Sequence, residues 1–288
     1  MKPPVTTLFV YGTLLRGLSR AQVLRGAQFL GPGLVEGRLY DLGQYPGLRP
    51  GSGLVVGEVW EVNALTLQRI DRIEDYEPRD PSGSLYRRID VQVRTFSGTL
   101  LHASTYEYNR RPPTRAMIQH GDYRRYLLEQ RPRPQPMVAY GSNLRLSRIE
   151  DRIGRVGPRR SGHFPGFRLS LEKRAAGGPR VVANLRFTGQ DRCFGALHRL
   201  TPLQLEAMDR YEGTPEHYLR VVVPFRPDGA NGLRLAHTWI AHPDRVTTGL
   251  PVAPEYLAHL RVGYQEFGWA QEPIERALAE LPPGTGRE

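Results

Sequence analysis

The chain has 288 residues and a mass of 32.6 kDa, with 39% hydrophobic and 24% charged residues, enough for two ordinary domains with cores of their own and too apolar for overall disorder. Its single cysteine, Cys193, excludes an intrachain disulfide and any zinc site built on four cysteines or on two cysteines and two histidines. No apolar run approaches the ~20 residues of a membrane-spanning helix. The net charge of +11 comes from 38 Arg and only two Lys, Lys2 and Lys173, spread evenly: residues 1–135 carry 19 basic and 13 acidic groups, residues 136–288 carry 21 and 16, and no run reaches five like charges. That distribution reads as solvated faces rather than a nucleic-acid surface.

In chain order, Val5–Tyr11 reads as a strand broken by Tyr11-Gly12-Thr13, and Leu54–Val62 as a second apolar strand-like run. Asn63 then caps a helix whose stripe is Leu67, Ile70 and Ile73 and which ends in Asp71-Arg72-Ile73-Glu74-Asp75. A loop, Pro78 to Ser84, leads to a Tyr-led strand from Tyr86 to Val93, and a helix is predicted over Pro113–Glu129. The alternating prolines of Arg131–Pro136 predict a short, stiff spacer.

The same order then recurs. Pro136–Tyr140 is a strand broken by Tyr140-Gly141-Ser142, and Phe194–Leu200 is apolar. Thr201-Pro202-Leu203-Gln204 has the capping-box pattern, and the helix it opens ends in Asp209-Arg210-Tyr211-Glu212-Gly213. A strand leads from Tyr218, and a late helix is predicted over Pro254–Phe267 with Tyr256, Leu257, Leu260 and Tyr264 on its face. Tyr11 and Glu74 are 63 residues apart, Tyr140 and Glu212 are 72 apart. Units of this length are whole domains, not solenoid repeats. The expected organisation is residues 1–130, a spacer at 131–136, and residues 137–288. The expected class is α+β, each half a small barrel-like unit of about six strands with flanking helices.

No phosphate-binding glycine loop, dinucleotide fingerprint, zinc-protease motif or nucleophile elbow is present. The eight histidines are scattered, His237 and His242 included, and Cys193 reads as a core residue. What repeats is a Tyr-Gly-(Thr/Ser) turn after the first strand and a glutamate ending a helix. Such a turn presents successive backbone N–H groups that can hold a carboxylate or a developing oxyanion, and glycine permits close approach. A carboxylate at a helix C-terminus meets the negative end of the dipole, which raises its pKa and suits it to act as a base near neutrality.

These residues, in this order, resemble the γ-glutamylcyclotransferase superfamily over nearly the whole chain, twice. Residues Tyr140-Gly141-Ser142-Asn143-Leu144, Asp209–Gly213, Tyr218, and the Pro254-Glu255-Tyr256 helix with Gly263 are similar to the γ-glutamylcyclotransferases proper. Residues Tyr11-Gly12-Thr13-Leu14, Glu74–Pro81 and Ser84–Arg88 resemble the branch that includes γ-glutamylamine cyclotransferases and enzymes unmasking γ-glutamyl-protected antibiotic intermediates. Two positions depart from the pattern: Asp75 stands where Gly is common, and Thr238-Trp239-Ile240 where a Tyr is common.

The resemblance implies a metal-independent lyase or acyltransferase that needs no cofactor. The substrate's α-amine attacks its own γ-carbonyl, giving 5-oxoproline and a released amine or amino acid. It assigns the base to Glu74 and Glu212, the γ-glutamyl group to the turns Tyr11–Leu14 and Tyr140–Leu144, and pocket walls to Tyr86 and Tyr218. The expected partner is a small γ-glutamyl peptide or amine, with no membrane and no specific nucleic acid. Met1-Lys2-Pro3-Pro4 has no apolar signal-peptide core, so a reducing, cytoplasmic setting is expected. The alternative is a tandem binding or regulatory module that keeps the pocket without turnover.

Overall fold

The computed structural model describes residues 5–131 and 134–281, and the chain divides into two compact units, Met1–Leu127 and Leu128–Glu288. Unit one contains β1 (Val5–Val10), β2 (Gln28–Asp41), β3 (Pro46–Asn63), β4 (Tyr86–Thr95), β5 (Leu100–Tyr108) and the short β6 (Met117–Ile118). Antiparallel pairing runs β1–β3–β2–β4–β5, and β5 returns to β1 in parallel through Ser104 and Leu8, so five strands close a ring. β6 adds to the end of β2.

Unit two repeats this circuit with β7 (Gln135–Ala139), β8 (Arg160–Arg174), β9 (Val181–Leu200), β10 (Tyr218–Pro227) and β11 (Arg234–Ala241). β7–β9–β8–β10–β11 pair antiparallel, and β11 meets β7 in parallel at His237 and Met137. Closure removes every free strand edge from the ring. Of the predicted spacer, residues 132–133 lie outside the described residues, and Gln135 and Pro136 pair with Leu200 and Arg199 in the first strand of unit two.

Tight barrels need glycine where one strand presses on another. A Cβ on Gly57 would stand 2.3 Å from the Phe9 ring and 2.4 Å from the Val10 carbonyl, and one on Gly195 would stand 2.5 Å from Val138 Cγ1. The interiors are apolar: Leu8, Phe9, Val55, Val59 and Ile70 in unit one; Met137, Ile149, Leu200, Met208 and Ala241 in unit two.

Each acidic segment is a helix, as the capping signals require. α1 (Ala64–Ile73) is capped by Asn63 Oδ1, which accepts from Thr66 N at 2.8 Å. Farther along come α2 (Tyr123–Glu129) and α3 (Leu146–Ile153), then α4 (Pro202–Glu212) with the full Thr201/Gln204 capping box. α5 (Pro254–Glu266) and α6 (Glu272–Ala279) follow. Among the described residues no helix is long and apolar enough to cross a membrane.

The helix predicted over Pro113–Glu129 is corrected: only its last seven residues, α2, are helical. Ahead of them lie a 3-10 turn, β6 and Gly121, whose φ is +65° and whose absent Cβ would fall 1.9 Å from the Leu54 carbonyl. Gly121 O also accepts from Val56 N at 2.9 Å. This docking onto β3 keeps the segment ahead of Tyr123 out of the helix. α3 and α6 were not anticipated; each is only eight residues long.

His198 on β9 is 1% exposed, and among the described residues neither ring nitrogen has a hydrogen-bond partner. Burial, aided by Arg159, holds its pKa down at about 4. Because the folded value lies below the unfolded one near 6.5, the unfolded chain takes the proton first. The contribution is therefore complete above about pH 6.5 and is lost as pH falls toward 4, on the order of 3 kcal/mol over that window. Denaturant midpoints of the His198→Leu variant, measured from pH 4 to 7, should lose that part of the slope; an unchanged slope contradicts the assignment.

Candidate active site

In unit two, the end of β7, the turn after it, β8, β9, α3, α4 and α5 surround a cavity of about 350 Å³. Tyr140, Gly141, Ser142 and Asn143 line it. The Tyr140 hydroxyl donates to the Trp239 carbonyl at 2.6 Å, and that of Tyr218 to the Ala183 carbonyl at 2.6 Å. These bonds fix both rings between strands. Tyr256, from α5, accepts from Ala183 N at 3.0 Å. A Cβ on Gly141 would meet Ala183 Cβ at 3.2 Å and the Tyr256 hydroxyl at 3.3 Å, so only glycine leaves the turn open to a ligand here.

Glu212 is the last residue of α4, and Gly213 follows in the left-handed conformation at φ 64°, ψ 42°. Its Oε1 accepts from Asn143 Nδ2 at 2.9 Å and from Arg152 Nη1 at 3.1 Å, and Arg152 also donates to Asn143 Oδ1 at 2.9 Å. Turn, glutamate and α3 are thus tied into one triangle. Behind Glu212, Asp209 accepts from Trp239 Nε1 at 3.0 Å and faces Arg220 at 3.3 Å. Lys173, from β8, also lines the cavity. Its Nζ lies 3.2 Å from His217 Nδ1 and 4.7 Å from the centre of the Tyr218 ring, and burial pushes its pKa down to about 8.

Unit one has the same frame. Tyr11 donates to the Tyr106 carbonyl, Tyr86 to the Pro46 carbonyl at 2.7 Å, and Tyr106 to Asp71 at 2.6 Å; Asp71 in turn takes a forked pair from Arg88 at 2.8 and 2.9 Å. Tyr106 therefore stands where Trp239 stands in unit two, and Asp75, at φ 49°, takes the left-handed place of Gly213. Those are the two positions where the sequence departs from the family pattern, and in each the frame is kept.

The space differs sharply. Only about 20 Å³ is open beside Tyr11, Gly12, Thr13, Leu14 and Glu74, room for about one water. Tyr45 and Pro46 sit over the turn where unit two has Val182 and Ala183. Glu74 follows the last turn of α1, its N–H bonded to the Ile70 carbonyl at 2.9 Å. Burial pushes its carboxyl up to about 7, against the opposing charge of Arg20.

Most predicted site residues converge: Tyr140, Gly141, Ser142, Asn143, Glu212 and Tyr218 on one cavity, and Tyr11, Gly12, Thr13, Leu14 and Glu74 on the other. Leu144 is fully buried away from the cavity, beneath α5, where a Cβ on Gly263 would meet its Cβ at 2.5 Å. Tyr86 stands behind Pro46 rather than on the open surface. Sequence reasoning missed Arg148, Arg152, Lys173, His217 and Trp239 as lining residues, and placed Tyr256 on a helix face and in the family-like Pro254-Glu255-Tyr256 segment without giving it the pocket. For Lys173 a signal existed: it is one of two lysines in a chain of 38 arginines. Among the described residues no group of three or more His, Cys, Asp or Glu stands together as a metal site.

A family model described as gamma-glutamyl cyclotransferase, AIG2-like, matches the chain at residues 8–125 and again at 137–256. The chain is 42% identical to the gamma-L-glutamyl-butirosin B gamma-glutamyl cyclotransferase of Niallia circulans over 105 residues, 36% of this chain and 67% of the relative. It is 32% identical to the gamma-glutamylcyclotransferase family protein YtfP of Escherichia coli over 117 residues, 40% of this chain and 94% of the relative. YkqA from Bacillus subtilis is similar in fold along the whole length, with a TM-score of 0.75 at 20% identity, covering 98% of this chain and 100% of that one. The chain belongs to the gamma-glutamyl cyclotransferase, AIG2-like family, and it carries the family's domain twice.

Proposed function

We propose that the chain is a γ-glutamyl cyclotransferase whose main site is in unit two, with Glu212 as its general base and acid. The observation that carries this is the placement of Glu212 on a 350 Å³ cavity beside the Tyr140–Asn143 turn, a volume within the range of small-molecule sites. The substrate's α-ammonium gives a proton to Glu212. The free amine then attacks the γ-carbonyl and forms the ring N–C bond. The oxyanion that develops is stabilised by the turn. Its collapse breaks the bond to the leaving nitrogen, which takes the proton back from Glu212. The ring nitrogen gives its second proton to the freed carboxylate, which passes it to the released amine. The products are 5-oxoproline and an amine or amino acid. Attack within one molecule needs no protein nucleophile, so positioning by Tyr140, Tyr218 and Tyr256 supplies much of the acceleration.

Glu74 is the counterpart of Glu212 in unit one. Its carboxyl, raised to about 7, is poised for proton transfer near neutrality, while its 20 Å³ pocket must widen before a γ-glutamyl group enters. That small volume favours, for unit one, the second reading of a copy that keeps the fold without turnover. Release of 5-oxoproline from γ-glutamyl amino acids and γ-glutamyl amines by the purified full chain is the test. Turnover is expected; ligand binding without any 5-oxoproline leaves the binding-module reading in its place.

A further inference from the structure

The unit-two cavity carries more positive charge than the reaction requires. Arg148, Arg152 and Lys173 line it together with the exposed Arg210, against one carboxylate, Glu212. Arg152 is engaged by Glu212 at 3.1 Å. Arg148 donates to the Ser142 hydroxyl at 3.1 Å and, among the described residues, has no carboxylate within 4.0 Å. Its neighbours on the α3 side are cationic too: Arg145 lies 3.1 Å from His259, and Arg145 and Arg152 both act against Arg148. Lys173 is 3% exposed; its polar neighbour is His217, and it has no carboxylate partner among the described residues.

Burying a cation without an ion-paired anion is costly, so the buried Lys173, with the half-buried Arg148 on the same cavity, is a poor structural solution and a good receptor. In the bound state the ammonium of the γ-glutamyl group faces Glu212. Its α-carboxylate answers one of the two unpaired cations, and the other is left over. Among the described residues the unit-one pocket has no cationic side chain on its wall, and Arg20, which acts on Glu74, stands outside that lining, so the wall cations belong to this site and not to the shared fold.

We propose that Lys173 receives a second carboxylate, the one carried by the leaving group, while Arg148 answers the α-carboxylate, and that Lys173 so makes the unit-two site selective for γ-glutamyl amino acids and peptides over γ-glutamyl amines. The assignment deepens the cyclotransferase reading and rests on it for the identity of the leaving group. Lys173 is a specificity residue here: it touches the departing half of the substrate, while Glu212 handles the proton.

The test compares N-glutaryl-alanine, which lacks the attacking amine and cannot cyclise, with its C-terminal amide, by calorimetry on the full chain. The free acid should bind about 10- to 100-fold more tightly, the range expected for one charge-assisted contact. Lys173→Gln should bring the ratio close to one, and Lys173→Arg should restore much of it. Equal binding of acid and amide by the parent protein overturns the proposal, as does a Lys173→Gln variant that keeps the full preference. Turnover separates the two readings. If γ-glutamyl-alanine and its amide release 5-oxoproline equally well, the reaction stands and this selectivity falls. If neither releases any while the glutaryl preference holds and depends on Lys173, the receptor stands and the reaction falls.

Discussion

Replacing Glu212 with Gln should lower 5-oxoproline release by about 10²- to 10⁴-fold, the usual effect of removing a general base. The amide keeps the shape of the side chain. Its carbonyl oxygen can still accept from Asn143, now at 2.9 Å, and from Arg152, now at 3.1 Å, so the triangle that holds the turn against α4 survives. The left-handed cap at Gly213 is also untouched. What is lost is the ability to take the ammonium proton and return it to the leaving nitrogen. The loss should therefore fall on kcat far more than on KM. Steady-state release of 5-oxoproline by the parent and variant chains, with circular dichroism as a check on folding, decides it; near-parental turnover in a folded variant removes Glu212 from the mechanism. The same change at Glu74 should cost much less, because a 20 Å³ pocket admits a water and not a substrate.

The second large effect concerns stability, and its sign is the unusual one. Glu74→Gln should stabilise unit one at alkaline pH. Burial raises the Glu74 carboxyl from 4.5 to about 7, with Arg20 opposing the shift only in part. A pKa raised by folding means that the protonated form favours the folded state: the contribution is complete below about pH 4.5 and is lost as pH rises through 7. Across that window the loss is on the order of 3 kcal/mol. Glutamine carries no charge at any pH, so the variant should match the parent near pH 4 and exceed it at pH 8. Hydrogen exchange of β1 and α1 amides at both pH values reports on unit one directly. A variant that is less protected than the parent at pH 8 would show that the carboxylate is stabilised by contacts and not merely buried.

What the sequence determined is what local backbone physics dictates. The capping box at Thr201 and the cap at Asn63 start the two helices, and both form with the bonds their residue types predict. The Tyr-Gly turns stop the first strands, because glycine alone leaves room beside Pro46 in one unit and Ala183 in the other. The ordered repetition of turn and glutamate, and the family it signals, could be read without any tertiary information. Where the local reading met a long-range demand it failed: a helix is predicted from Pro113, but Gly121 docks on the carbonyl of Leu54 and the helix begins only at Tyr123.

Tertiary structure alone decided how the two copies differ. The parallel closure of β5 on β1 and of β11 on β7 brings distant segments together, and no local signal marks it. Arg148, Arg152, Lys173 and Tyr256 reach one cavity from three elements, so their chemistry exists only after the ring has closed. The contrast of 350 with 20 Å³ turns on Tyr45 and Pro46 lying where Val182 and Ala183 lie, a difference of side-chain bulk above turns that share the Tyr-Gly start. Turns and caps are written in a few neighbouring residues. A cavity is the space left by residues far apart in the chain, and its size and charge are set only when they pack.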